Sequence, residues 1–579
     1  MAPAQGDRIN APDYRGTRAA CDSRTVQSAA SPNLPTRVTF PTRWSALLPA
    51  VLAAVLVAAP LIGLAITGLA GLRAETWQGL IDGGLSGFAG TSVVLLVLVG
   101  AGVALIGGVT GWLTAAYVFP GSRYFTWLLV LPLAMPTYVV AYAYADLLQF
   151  SGPVQTWLRE SFGWGPREYW FPEVRSLPGA AVLFVCVLFP YVYLPVRAAV
   201  QAVPVSLLEA ARLAGLPARA VVLGVVLPLA WPAIAGGVIL CSMEVLADYG
   251  AVSYLAVDTL SVGIYKAWLG YGDRVSAVQL ALVLLVVVGV LMIVESRLRG
   301  RRRFASRGGP VRGSAPEVLR GAKAWSATLA CGVPVVAGFF LPLATLLRVA
   351  VKEAESHQWD RYARAAWASF TTAGLAAIVV LLVALLLAYG ARMSRSRAVG
   401  LLNRVASLGY GVPGAVLAIA ILIPLARLDN MLDAWVESLF GQNLGLLLTG
   451  SVTALIYAYV VRFLAVGLSN LETGFGRVTP SMDDAARSLG VTGFALVARV
   501  HLPLLWRVLL VSGLLVFVDA LKELPATLAL RPFDFDTLAT QSYQYAKDER
   551  LGEAAVPSLV IVLVAMLPAL LVTRVLARR

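Results

Sequence analysis

Four carboxylates stand where carboxylates are expensive. Glu244 and Asp248 lie four residues apart in an otherwise apolar stretch, and Asp519 and Glu523 repeat that spacing at an offset of 275. An i,i+4 spacing puts both acids of a pair on one helix face. Each charge inside a membrane span costs about 2.5–3.5 kcal/mol on insertion scales, so four retained acids call for a reason. A chemical reason is an acidic mouth that attracts a hard cation, which prefers oxygen ligands. Tyr138, Tyr142, Tyr144, Tyr191, Tyr193, Tyr457 and Tyr459 could add phenolic oxygens along the same route, although interfacial anchoring and packing explain most of them equally well. A structural reason is interfacial solvation or ion pairing, for example of Lys522 with an acid of a neighbouring helix. The structural reason has the greater weight.

Other chemistries find no residues. Cys21 lies in a polar stretch, and Cys186, Cys241 and Cys331 fall in apolar runs without paired spacing. His357 and His501 are far apart, so neither a disulfide framework nor a structural zinc site is expected, and no metal ligand is assigned. No lysine follows a glycine, which excludes a phosphate-cradling GxxxxGK[ST] loop, so the chain is not a P-loop ATPase. No activated nucleophile or catalytic acid pair stands out, so an enzyme is not expected.

The elements that must hold the four acids follow from composition. Of 579 residues 59% are hydrophobic and 13% charged, whereas a soluble chain is nearer half apolar and a quarter charged. The chain reads as an integral membrane protein. About 20 apolar residues cross a bilayer as a helix. Twelve runs qualify: 46–70, 92–118, 126–149, 179–202, 225–247, 276–296, 324–349, 367–391, 403–426, 445–470, 500–521 and 555–576. They are solidly apolar and not alternating, so they are helices and not barrel strands. The net charge of +14 accumulates on one side when the N-terminus is placed inside, with nine basic residues in the linker 297–323. That distribution predicts cytoplasmic N- and C-termini and accounts for the high pI without nucleic acid. Residues 1–43 lack a secretory core and read as a polar, disordered cytoplasmic tail.

The chain also repeats itself. Residues 206–231 (SLLEAARLAGLPARAVVLGVVLPLAW) and 481–506 (SMDDAARSLGVTGFALVARVHLPLLW) share 12 of 26 positions at the offset of 275, against roughly two or three by chance. Two six-span halves are implied, 44–296 and 324–579, in one orientation about an axis along the membrane normal. Ser206 with Glu209 and Ser481 with Asp484 have the spacing of an N-cap and a first-turn acid. Ala210, Ala211 and Arg212, and in the copy Ala485, Ala486 and Arg487, continue a short helix. Gly215 and Gly490 end it by allowing a left-handed residue. Each copy is a helix-turn-helix elbow.

The pattern acid-Ala-Ala-x3-Gly-x9-Val-x-Leu-Pro, present twice (206–228 and 481–503), resembles the EAA loop of binding-protein-dependent ABC importer permeases. Segments 244–274, 459–490 and 521–546 look like ferric-iron importer permeases, and the similarity runs from about residue 46 onward. The second copy departs from the family pattern with Asp484 in place of Glu. The resemblance implies an all-α polytopic fold of about 12 transmembrane helices in two tandem type I (MetI-like) halves, in a bacterial inner membrane. It implies that Ser206, Glu209, Ala210, Ala211, Arg212 and Gly215, with Ser481, Asp484, Ala485, Ala486, Arg487 and Gly490, couple to two copies of a cytoplasmic ABC ATPase. ATP and Mg would be held by that ATPase, and this chain would bind no cofactor. A periplasmic or lipid-anchored binding protein would deliver the substrate, expected to be Fe(III). Glu244, Asp248, Asp519 and Glu523 become candidates for the translocation pathway. Permeases for thiamine, phosphonate or polyamine share this plan. A secondary active transporter is the alternative from another class, opposed by the paired elbows and the lack of an evident mid-membrane coupling acid or His relay.

Overall fold

The computed structural model describes residues 43–70, 78, 81, 84–166, 168–305, 316–394, 396–441, 443 and 445–577. The expectations for the polar tail up to residue 42 and for linker residues 306–315 fall outside the described residues. Among the described residues ten helices are long and apolar enough to span a membrane: Leu47–Leu69, Leu85–Ala116, Arg219–Ala247, Arg274–Leu298, Ala322–Lys352, Trp359–Ser394, Gly414–Phe440, Val452–Phe475, Val497–Leu521 and Leu551–Pro568. Two bent pairs, Ser122–Ala134 with Thr137–Phe162 and Leu177–Leu188 with Pro190–Gln201, bring the number to twelve if each pair is one span.

Proline decides where the expected spans fail. The run 126–149 is not one helix: Met135 is extended ahead of Pro136, and the chain turns by 91°. The run 403–426 breaks in the same way, because Val412 is extended ahead of Pro413. There the helix Arg397–Ala406 stands apart and the long helix runs from Gly414 to Phe440. Proline lacks an N–H and pushes the preceding residue out of helical conformation, so both breaks are local consequences of sequence. A third proline, Pro190, bends the fourth span by 43°, whereas Val452–Phe475 in the other half is continuous.

A gentler proline effect recurs at Leu-Pro. Helices entering Leu227-Pro228, Leu341-Pro342 and Leu502-Pro503 each widen into a π turn, at Val222–Val226, Val336–Phe340 and Val497–His501. The missing N–H of the proline would otherwise leave a carbonyl unpaired one turn back, and a single wide turn absorbs the mismatch.

The two halves are not separate bodies. Helix Arg43–Ala70, from the first half, packs on Trp359–Ser394, Arg397–Ala406 and Gly414–Phe440 of the second. The opening helix of the second half, Ala322–Val335, packs in turn against Leu85–Ala116 and Ser122–Leu128 of the first. The end of the linker contributes a short strand, Glu317–Val318, parallel to Tyr117–Val118.

Candidate functional site

Each elbow is built alike. Its helix runs Val205–Leu213 in the first half and Pro480–Ser488 in the second. The helix ends in a Schellman turn, with Leu216 N–H bonding Ala211 O at 3.2 Å and Val491 N–H bonding Ala486 O at 3.0 Å. Gly215 and Gly490 take the left-handed position with φ of 73° and 79°, and the space where a Cβ would lie is empty at both. Glu209, Ala210, Asp484 and Ala485 face outward, and Ala211 and Ala486 face inward. Arg212's side chain lies outside the described residues. Bare leucines mark both tips, Leu213 at 88% and Leu489 at 83% exposure.

The capping expectation is corrected. Thr479, not Ser481, holds the N-cap position of the second elbow helix, without a side-chain capping bond; Pro480 takes the first helical position and Ser481 lies one residue further in, its hydroxyl 2.8 Å from that of Thr479. In the first elbow Ser206 is likewise inside a helix that begins at Val205. Proline is suited to the first turn because its missing donor is not needed there, and Pro480 so placed puts the start of the second elbow helix upstream of Ser481.

Sequence reading missed what lies beneath the second elbow. Asp483, not Asp484, is the buried acid; it accepts a 2.9 Å bond from Arg392 Nε and lies 2.9 Å from His501 Nε2. Arg392 also donates to the carbonyls of Phe475 and Val478, each at 2.9 Å. Burial alone would raise the Asp483 carboxyl, but its bonds to His501 and Arg392 and their charge hold it below the ordinary range. Asp484 instead pairs on the surface with Arg487 at 3.0 Å.

The four membrane acids line one cavity of about 180 Å³ between the halves. They do not form a bare acidic mouth. Lys522 lies 2.9 Å from Asp519, one turn along its own helix and not on a neighbouring one, and Arg462 Nε lies 3.4 Å from Glu523. Tyr191 donates to Glu244 at 3.3 Å. Asp248 accepts from the Thr137 hydroxyl and, at 2.9 Å, from Ala251 N–H; Glu523 accepts from Ala526 N–H at 3.1 Å. The second acid of each pair thus caps the short helix that follows the break in its span, Gly250–Tyr254 or Pro525–Leu530. Gly414 presses against the ion pair: a Cβ there would lie 2.6 Å from Glu523 Oε1 and 2.7 Å from Arg462 Nη1. Among the described residues no three His, Cys, Asp or Glu side chains converge as a metal-holding group.

Of the seven tyrosines, Tyr138 and Tyr191 reach the cavity. Tyr144, Tyr193 and Tyr457 spend their hydroxyls on the carbonyls of Ala337, Thr126 and Leu56, and Tyr459 pairs with Thr527. Tyr142 packs behind Tyr138 and Tyr254. Tyr249, Tyr410 and Arg462 also line the cavity without having been singled out. An arginine in the apolar run 445–470 was the available signal for Arg462.

Comparison with known proteins agrees with this architecture. The family model described as "Binding-protein-dependent transport system inner membrane component" matches twice, over residues 107–303 and 380–579. The chain is 24% identical over 492 residues to the Fe(3+)-transport system permease protein FbpB 2 of Haemophilus influenzae, covering 83% of this chain and 88% of that protein. It is 22% identical over 462 residues to the ferric transport system permease protein FbpB of Actinobacillus pleuropneumoniae, covering 76% and 63% respectively. A protein named for 2-aminoethylphosphonate transport, PhnU of Salmonella typhimurium, is 27% identical over 192 residues, 32% of this chain and 66% of that protein. With both of its halves matched by one model, the chain belongs to the family of binding-protein-dependent transport system inner membrane components.

Proposed function

We propose that this chain forms the whole membrane pathway of an ATP-driven importer and that its cargo is ferric iron. The observation that carries the reading is the duplicated elbow: two short helices with matching Schellman turns 275 residues apart, each with an exposed leucine at its tip. Bare leucines on a protruding turn suit burial in a partner's cleft. Each elbow would dock one ATPase subunit, giving one permease chain to two ATPases, with ATP hydrolysed on those subunits. Both elbows, the linker and both termini would then be cytoplasmic, as the basic residues suggest. A binding protein would release the cargo on the opposite face.

The cavity supports a cation. It gathers four carboxylates and several phenols, the oxygen donors that a hard ion prefers. Because those acids are already capped or paired, the cavity suits passage more than tight retention. Arg462 and Lys522 favour a second reading, in which the same permease carries a zwitterion such as an aminophosphonate, whose anionic end would meet the bases. Uptake of radiolabelled Fe(III) and of labelled 2-aminoethylphosphonate by cells expressing the complete operon decides between them. Iron uptake that disappears on deletion of the ATPase supports the first reading. ATPase-dependent uptake of the phosphonate without iron uptake rejects it.

A further inference from the structure

The first elbow stands over a hollow. Where the second elbow covers Asp483, Arg392 and His501, the first covers a cavity of about 720 Å³, within the roughly 300–1,000 Å³ range of small-molecule sites. Its wall has two chemistries. Val200, Val221, Val222 and Val226 make an apolar floor, and Arg123 and Arg197 supply positive charge. Arg197 Nε is buried with no hydrogen-bond partner among the described residues, and Arg123 is exposed at the rim. A buried guanidinium nitrogen without an acceptor is costly, and a phosphate oxygen is the acceptor that best fits a guanidinium fork. Glu317, the acid on this wall, has a partner of its own. The cavity is flanked by the strand pair of Tyr117–Val118 with Glu317–Val318, so it lies at the end of the strongly basic linker.

We propose that this hollow is a binding site for a phosphate-bearing anion, the headgroup of an acidic phospholipid, with Arg197 and Arg123 on the phosphate and the valine floor under the first part of an acyl chain. The apolar floor distinguishes the lipid from a soluble phosphate, which would gain nothing from it. Its position beneath the elbow makes the lipid a filler that does for the first elbow what the buried ion cluster does for the second. The inference stands on the cavity alone and holds whichever cargo the permease carries.

The test uses the full-length chain purified in mild detergent, loaded with phosphatidylglycerol and examined by native mass spectrometry, with inorganic phosphate in a parallel arm. Wild type should keep one phosphatidylglycerol through washing that removes phosphatidylethanolamine. Arg197→Gln with Arg123→Gln should lower retention at least tenfold, and Val226→Trp, which fills the floor without changing charge, should lower it as well. Arg404→Gln, an exposed arginine elsewhere, should retain the lipid like wild type. Each variant must elute as the wild type does on size exclusion, so that misfolding is separated from lost binding. If millimolar phosphate displaces the lipid from wild type, the anion site stands and a soluble phosphate shares it. Equal retention by wild type and the double arginine variant overturns the proposal.

Discussion

At positions 275 apart, the first half has Val187, Leu208, Val226 and Ala247 where the second half has Arg462, Asp483, His501 and Lys522. Glu244 with Asp519, and Asp248 with Glu523, are acids in both halves. The shared acids hold equivalent backbone positions, the second of each pair capping the helix after its span. The unshared polar side chains occupy places where the first half is merely apolar or hollow. Duplicated features therefore follow the duplicated backbone, while polar side chains found in one half alone do local work: two cations neutralise acids in the cavity, and an acid and a histidine tie down one elbow. A pseudo-symmetric pathway can be electrically one-sided.

The largest expected effect tests whether the elbows are equivalent. Proline cannot take a positive φ, so Gly215→Pro or Gly490→Pro should each reduce uptake to background while membrane insertion, read by fractionation, stays normal. Alanine at either site meets no atom within 4 Å and should cost only about 1–2 kcal/mol locally. Wild-type uptake by one of the two proline variants would break the equivalence; wild-type uptake by both would sink the coupling role.

The cavity should respond unevenly. Arg462→Met leaves Glu523 buried without its cation and should destabilise the chain by about 3–5 kcal/mol, read as a lowered melting temperature in detergent. The matched change Val187→Met should cost about 1–3 kcal/mol through overpacking alone. Equal losses would remove the asymmetry. Gly414→Ala, which crowds the same ion pair, should cost about 1–3 kcal/mol and reduce transport without altering net charge.

A smaller effect sharpens the contrast between the elbows. Asp483→Ala strips Arg392 and His501 of their shared acceptor and should cost about 1–3 kcal/mol, seen as faster hydrogen exchange over 480–490 and unchanged exchange over 205–215. The smallest effect is in pH. With its folded carboxyl below the usual value, Asp483 contributes fully above about pH 4 and loses that contribution as pH falls through the lower folded value. Exchange over the second elbow should therefore be flat, relative to the first, from pH 7 to about 4.5 and accelerate only below that.

Much of this was legible because it depends on short-range rules. Apolar runs of sufficient length marked twelve spans, and a glycine three residues beyond an Ala-Arg pair marked each turn. The broken third and ninth spans were legible too, since Met135-Pro136 and Val412-Pro413 are visible breakers, but hydropathy averages over them. What could not be read is partnership across the chain. Nothing local says that Asp483 turns inward while Asp484 turns outward, or that Arg392 reaches it from 91 residues away. Lys522 was expected to pair with another helix and found an acid one turn away, the cheaper contact to form.

The exchange of opening helices between the halves sets an order of events during synthesis. Helix Arg43–Ala70 enters the membrane early and meets Arg274–Ala305 of its own half, yet its most extensive partners begin at Trp359. At about 5–20 residues per second the ribosome needs roughly 15–60 s to make the intervening stretch. For that time the helix has only the sparse packing that Arg274–Ala305 offers, and its place against the second half can be filled by any other span that arrives first. A single polypeptide answers this by keeping the late partner tethered to the early one. Two separately made halves would have to find each other with each opening helix still lacking its partner in the other half.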